Sequence, residues 1–157
     1  NVLLILQEKF KDSDIKVYYT RTDDSLPDNY KRVQLANRVN ADMFISIHAD
    51  FAEDASANGV TTIYNGDYFI PDFNSISLSD ILEQSVAVKT GAKANGLLAA
   101  TEDDYLVKNA TVPVAQINIG YLSNQDEKEL LAEEEYLKLV ADGIYEAIME
   151  IYEEKLN

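Results

Sequence analysis

Chemistry has its narrowest choice of residues at His48, the only histidine in the 157-residue chain. It ends the run Ala41 to Asp50, ADMFISIHAD, in which Met43, Phe44, Ile45 and Ile47 flank one small polar residue, Ser46. Such a run reads as a strand buried on both faces, the pattern of a central parallel strand. His48 then stands at the carboxyl end of that strand, where open α/β sheets bind their ligands. An imidazole there is either a metal-binding or catalytic group or a hydrogen-bonded core side chain, and position alone leaves both open. Asp50, two residues on, projects from the same face of a strand; it either joins such a site or is a solvated loop carboxylate.

Composition narrows the setting. The chain is about one domain long, 46% hydrophobic and 26% charged, which is ordinary for a soluble globular protein. The absence of cysteine excludes a disulfide framework and thiol catalysis, and fits the cytoplasm or a bacterial surface equally. The net charge of −15 is unevenly spread: Asp126 to Asn157 holds eleven acids against three lysines. Nucleic acid is thereby excluded as an expected partner, because phosphate binding needs a basic face, and an anionic membrane surface is excluded for the same reason. No apolar run approaches membrane-spanning length, so no membrane insertion is expected. The opening NVLLILQEKFKDSD has neither a basic leader nor a cleavage site, and the chain reads as the interior of a longer protein.

The elements that must position His48 follow from periodicity. A helix under way opens the chain. Ile15 to Thr20 is rich in β-branched and aromatic residues and predicts a strand, with Arg21 to Asp24 as its exit loop. Pro27 and Asp28 start a helix running to about Asn40, with Arg32 and Asn37 directed at neighbouring loops. After the central strand, Val60 to Tyr64 alternates as a strand, Asp67 to Asn74 is too irregular to place, and a helix spans about Ser75 to Lys89 before Gly91. Asn95 to Ala100 is small and apolar, Tyr105 to Val107 predicts a short strand, and Val114 to Ile119 a buried one. A short helix from Asp126 to Ala132 and a long one from about Glu133 to Glu154 close the chain, the latter with Leu137, Val140, Ile144, Ile148 and Ile151 as a core stripe. The alternation predicts an α/β fold, a three-layer sandwich with a mostly parallel central sheet flanked by helices.

Taken in order, VYYTRTDD (17–24), RVQLAN (32–37), ADMFISIHAD (41–50), PVAQINIGYLSN (113–124) and the closing helix resemble the zinc-dependent N-acetylmuramoyl-L-alanine amidases over nearly the whole chain. In that family a strand ends in Thr-Arg before an acidic loop, and an arginine and an Ala-Asn pair lie on the next helix. A Ser-Ile-His strand carries a zinc ligand, and the last strand reads Val-Glu-Leu-Gly-Phe-Leu-Ser-Asn. The resemblance implies hydrolysis of the amide between the muramic acid lactyl group and the first alanine of the peptidoglycan stem peptide. It implies zinc as cofactor, held by three protein ligands with an open position for water, and a glutamate as general base and then acid. It further implies peptidoglycan as partner, and an autolysin-like place outside the cell or in the cell wall within a longer secreted bacterial protein. Protein partners and substrate-binding residues are not indicated.

On this pattern His48 falls on the family's second zinc histidine, and Asn118 on its catalytic glutamate. An amide cannot accept and return a proton near neutral pH. Gln116 is likewise an amide, and Asp126 lies beyond the strand end. Asp50 stands where the family usually has asparagine, and Asn95-Gly96 where it often has Arg-Gly. The family's first zinc histidine and its ligand glutamate lie upstream of the residue that Asn1 matches. Residues 1–157 are therefore expected to be one amidase-like domain lacking its amino-terminal strand, with a gap in the sheet. Two functions follow as expectations: an amidase domain, impaired at Asn118, or a catalytically inactive pseudoenzyme that binds the wall or regulates.

Overall fold

A computed structural model of the chain describes residues 1–23, 25–67 and 73–156. Asp24 of the acidic loop and Tyr68 of the irregular stretch lie outside the described residues. In chain order the elements are α1 (Val2–Lys9), α2 (Asn29–Val39), β1 (Phe44–Asp50), β2 (Val60–Tyr64), α3 (Ser75–Thr90), β3 (Ala94–Ala99), α4 (Tyr105–Asn109), β4 (Val114–Tyr121), α5 (Gln125–Leu130) and α6 (Glu134–Ile151). A π-helical turn, Tyr152–Leu156, follows α6.

Local chemistry sets the helix ends. Asp28 caps α2 by accepting from Lys31 N at 2.8 Å, and Asn40, left-handed at φ 48°, ends it. Asn74 caps α3 by accepting from the amides of Ile76 and Ser77. The strands pair in the order β1-β4-β2-β3, with β1/β4 and β2/β3 parallel and β2/β4 antiparallel. One face, carrying Val60, Ala115, Ile117 and Ile119, is packed by α1, α3 and α6. The other, through Phe44, Ile63 and Val114, meets α2 and α4 at Val33, Ala36, Leu106 and Val107. The result is the expected three-layer α/β sandwich with a mostly parallel sheet. Among the described residues no helix is long and apolar enough to cross a membrane.

The expectations for Tyr105 to Val107 and for the position of the His48 strand are corrected. Tyr105 to Val107 is helical, because a short apolar run has no period of its own, and one helical turn buries both Leu106 and Val107 in the second core. Ala94–Ala99, in the stretch read only as small and apolar, forms a strand. The strand carrying His48 is not central: β1 lies at the edge of the described sheet, and β4 lies inside it.

Ile15 to Thr20 forms no strand, although its composition favours one. Strand propensity needs a ladder partner, and none of the described strands pairs with it. This segment and the free edge of β1 line one cavity of about 570 Å³, closed by side chains that include Leu35, Val39, Ile144 and Ile148. Tyr18 is consequently 46% exposed, and Met43, Ile45 and Ile47 are only partly buried.

The tightest packing lies between α3 and α6. A methyl group added at Gly143 would sit 2.7 Å from Val86 Cα, and Ser85 Oγ donates to Gly143 O at 2.8 Å. Gly143→Ala therefore pushes two helices apart. Urea unfolding is expected to show a loss of about 1–3 kcal/mol, with the α2 substitution Gln34→Ala, on an exposed position, nearly neutral.

Candidate functional site

His48 and Asn118 are register partners in the parallel ladder of β1 and β4. Neighbouring strands are about 4.8 Å apart, so the two residues stand side by side. Alternation adds Ser46 and Gln116 to the same face, one step back along each strand. His48 Nε2 lies 3.1 Å from Ser46 Oγ. Asn118 is 4% exposed, and its amide is used at both ends: Nδ2 donates to Asp50 Oδ2 at 2.9 Å, and Oδ1 accepts from Gln116 Nε2 at 3.4 Å. The other Asp50 oxygen accepts from Phe51 N at 2.8 Å.

A β-bulge makes the contact between Asp50 and Asn118 possible. Asp50 pairs with Tyr121, so β1 spends one residue where β4 spends two, Ile119 and Gly120. Gly120 takes the extra turn at φ +147°, a conformation that a side chain disfavours. Glu127 of α5 secures the turn: its carboxylate accepts from Tyr121 N and from Gly59 N, each at 2.7 Å, tying the end of β4 to the start of β2. Leu122 N donates to Asp50 O at 2.7 Å, and Ala52 N to Ser123 Oγ at 3.0 Å, so the loops leaving both strands are stitched together.

The charges around His48 come from a third direction. Partial enclosure holds the imidazole below its ordinary pKa, and the nearby Arg32 and Arg21 add to that effect against the opposing pull of Asp50. The imidazole is thereby kept neutral, the form that binds a metal. Among the described residues no group of three or more His, Cys, Asp or Glu side chains is arranged to hold a metal ion. His48 and Asp50 by themselves do not complete a zinc site, which takes three protein ligands even when catalytic.

The remaining sequence candidates are structural. Asn95 donates from Nδ2 to Asn58 O at 2.7 Å, tying β3 to the loop before β2. Asn37 clamps the chain after α4, accepting from Thr111 N at 2.9 Å. Asp126 sits in the first turn of α5, where Asn124 caps its amide. Sequence reasoning missed Ser46 as the partner of His48 and the Asp50–Asn118 contact. The i, i+2 spacing carried the first signal; nothing local carried the second, since the partners are 68 residues apart.

A family model described as N-acetylmuramoyl-L-alanine amidase matches residues 1–150. The germination-specific N-acetylmuramoyl-L-alanine amidase of Bacillus subtilis is 30% identical over 97% of this chain and 63% of its own length. The N-acetylmuramoyl-L-alanine amidase CwlM of Mycobacterium tuberculosis is 26% identical over 88% of this chain. The chain thus spans between about a third and just under two thirds of these curated relatives, 34% of the second. Among solved structures, the catalytic domain of the amidase CwlV from Bacillus (Paenibacillus) polymyxa superposes with a TM-score of 0.87 at 27% identity, covering 97% of this chain and 81% of that one.

The charge balance at His48 is open to measurement. Its nuclear magnetic resonance titration is expected to have a midpoint below 6.5. Asp50→Asn lowers that midpoint further, and Arg32→Ala raises it. Because the folded state resists the proton that the unfolded chain accepts, this residue's contribution to stability declines as pH falls through 6.5.

Proposed function

The chain belongs to the N-acetylmuramoyl-L-alanine amidase family, and on that premise we propose that it is an amidase-type domain directed at peptidoglycan whose proton-transfer step is impaired. Hydrolysis of the lactyl amide adds water to the carbonyl carbon, breaks the C–N bond to alanine and releases the amine. A base must take a proton from the water, and an acid must return one to the departing nitrogen. The observation that carries the proposal is the Asn118 amide, spent on Asp50 at one end and Gln116 at the other. It is buried beside His48, where the family's glutamate would work, and it has no proton to exchange.

Zinc is the cofactor that the resemblance implies, and it would supply an activated water. His48 is the ligand proposed from this chain. The cavity along the free edge of β1 suits an added extended segment, with unpaired backbone groups on one side and apolar side chains around it. The remaining ligands are assigned to such a segment. One relative is named a probable cell wall amidase and another a germination-specific N-acetylmuramoyl-L-alanine amidase, which supports the extracellular or cell-wall place within a longer secreted protein that we assign to the domain. The same Asn118 hydrogen bonds favour a second reading, an inactive module that binds the wall or regulates, since binding needs no proton transfer.

Titration calorimetry on residues 1–157 is expected to show weak zinc binding or none; tight stoichiometric binding lost in His48→Ala would overturn the ligand count. In protein carrying the segment that fills the cavity, Asn118→Glu alone sets two carboxylates at hydrogen-bond distance, and one of them stays protonated. Exchanging both, Asp50→Asn with Asn118→Glu, leaves one carboxylate with an amide neighbour. That double variant is expected to release stem peptides from peptidoglycan about 10²- to 10⁴-fold faster than the unaltered protein. Fast turnover before the exchange refutes the impairment, and no gain after it favours the inactive module.

A further inference from the structure

Leu98 is 55% exposed although it lies within a strand of the sheet. That strand is β3, which pairs with β2 alone among the described strands, so its outer edge is free. Protein edges are ordinarily blunted by charged side chains, proline or a bulge. Ala94–Ala99, ANGLLA, has neither charge nor proline, and its bulge lies at the start: β3 advances three residues, from Ala94 to Leu97, while β2 advances two, from Val60 to Thr62. Gly96 takes the bulge at φ +97°, and Glu83 of α3 satisfies it by accepting from Gly96 N at 2.7 Å. From Leu97 to Ala99 the ladder is regular.

Alternation decides which backbone groups this edge offers. Ala100 N donates to Tyr64 O at 2.9 Å, so Ala100, and Leu98 two residues before it, turn their N–H and C=O groups toward β2. Leu97 and Ala99 turn theirs outward. Two open residues at this spacing are a template for an antiparallel strand with the same spacing, and a second copy of β3 has it. Leu97 of each copy then exchanges both hydrogen bonds with Ala99 of the other. Leu98 meets its counterpart across the twofold axis, in the narrow kind of pair whose Cα atoms stand about 4.5 Å apart. A register shift of two residues is disfavoured in either direction. One shift sets Ala99 against Asn95, on the far side of the bulge; the other sets Leu97 against Thr101, whose amide already donates to Asp104 Oδ2 at 2.7 Å.

Charge selects the same arrangement. Lys93 before β3 and Asp103 after it are both exposed, and neither makes an ion pair among the described residues. Both lie five positions from Leu98, on opposite sides of it. Antiparallel pairing about Leu98 therefore brings Lys93 of one copy beside Asp103 of the other, at both ends of the seam, whereas parallel pairing sets like charges together.

We propose that the outer edge of β3 is a self-association surface, on which two copies of the chain join antiparallel about Leu98 and merge their sheets into one. The seam supplies hydrogen bonds to the open edge, covers Leu98 and pairs Lys93 with Asp103. His48 and Asn118 lie on β1 and β4, separated from the seam by β2, so the pairing leaves both candidate sites uncovered. The inference is independent of the peptidoglycan reading.

The chain has no cysteine, which makes disulfide trapping a clean test. In Leu98→Cys the two thiols face each other within disulfide range, and mild oxidation is expected to trap about tenfold more covalent dimer than in Gln34→Cys, an exposed position on α2. Sedimentation equilibrium of the unaltered full chain is expected to show a reversible dimer with a Kd of about 10–100 µM, as suits a small interface. Leu98→Lys sets two like charges together at the axis, and Ala99→Pro removes an outward N–H while sparing the β2 ladder; each weakens the dimer about tenfold. Lys93→Asp and Asp103→Lys each weaken it about threefold to tenfold, and the double exchange restores it. Circular dichroism melting checks that every variant is folded. A chain still monomeric at about 1 mM overturns the proposal. Equal trapping of the two cysteines overturns it too, as does a dimer indifferent to both Leu98→Lys and Ala99→Pro, the result expected of association through the free edge of β1. Failure of the double exchange to restore the dimer overturns the antiparallel seam.

Discussion

The parallel ladder between β1 and β4 is the constraint on which the candidate site depends. It brings His48 beside Asn118 across 70 residues of sequence, and its bulge at Gly120 turns Asp50 into hydrogen-bond range of the same amide. Glu127 holds that bulge from below with two backbone hydrogen bonds, so a residue of α5 with no part in the chemistry sets where the chemistry-bearing side chains stand. A buried carboxylate that accepts from two backbone amides satisfies groups which would otherwise be orphaned at the ends of two strands. Ladder, bulge and clamp make a rigid floor, and only the loops above it remain to shape what the floor meets.

The two faces of the sheet divide the labour. Toward α3 and α6 the packing is continuous, from Leu78 and Leu82 through Ile117 to Val140 and Ile144, each almost wholly buried. Toward α2 and α4 the apolar core fills only the amino-terminal half of β1 and β4, and the carboxyl-terminal half carries Ser46, His48, Gln116 and Asn118. Polar groups are tolerated there because each finds a partner: a hydroxyl for the imidazole, a carboxylate and an amide for Asn118. The free edge of β1 is the exception to this economy. Among the described residues one edge of this strand is unpaired, and a cavity separates it from a propensity-rich segment that makes no strand.

Acid and amide have changed places relative to the pattern that the sequence resembles. Asp50 stands where an amide is usual, and Asn118 where an acid is usual, and the two are hydrogen-bonded to one another. The pair keeps one carboxylate and one amide in the cleft, so the local charge is conserved while the group nearest His48 loses its titratable proton. Such an exchange keeps the hydrogen bond that joins the two side chains.

The helices other than α4, the β1, β2 and β4 strands and the three-layer class were legible in the sequence, because apolar periods of 3.6 and 2 and residues such as Asp28, Asn74 and Gly91 act locally. His48 was legible because it is unique, and Asn118 because the motif around it is long. The strand expected at Ile15 to Thr20 failed because propensity for a strand is realised only through a neighbour, and the helix at Tyr105–Asn109 was misread because three apolar residues have no period. The edge positions of β1 and β3 and the hydrogen bond from Asn118 to Asp50 were decided by the tertiary structure. Each joins groups through the pairing of strands or the folding of a loop, and the direction of a side chain in space follows from register and bulge, which no local pattern of residues encodes.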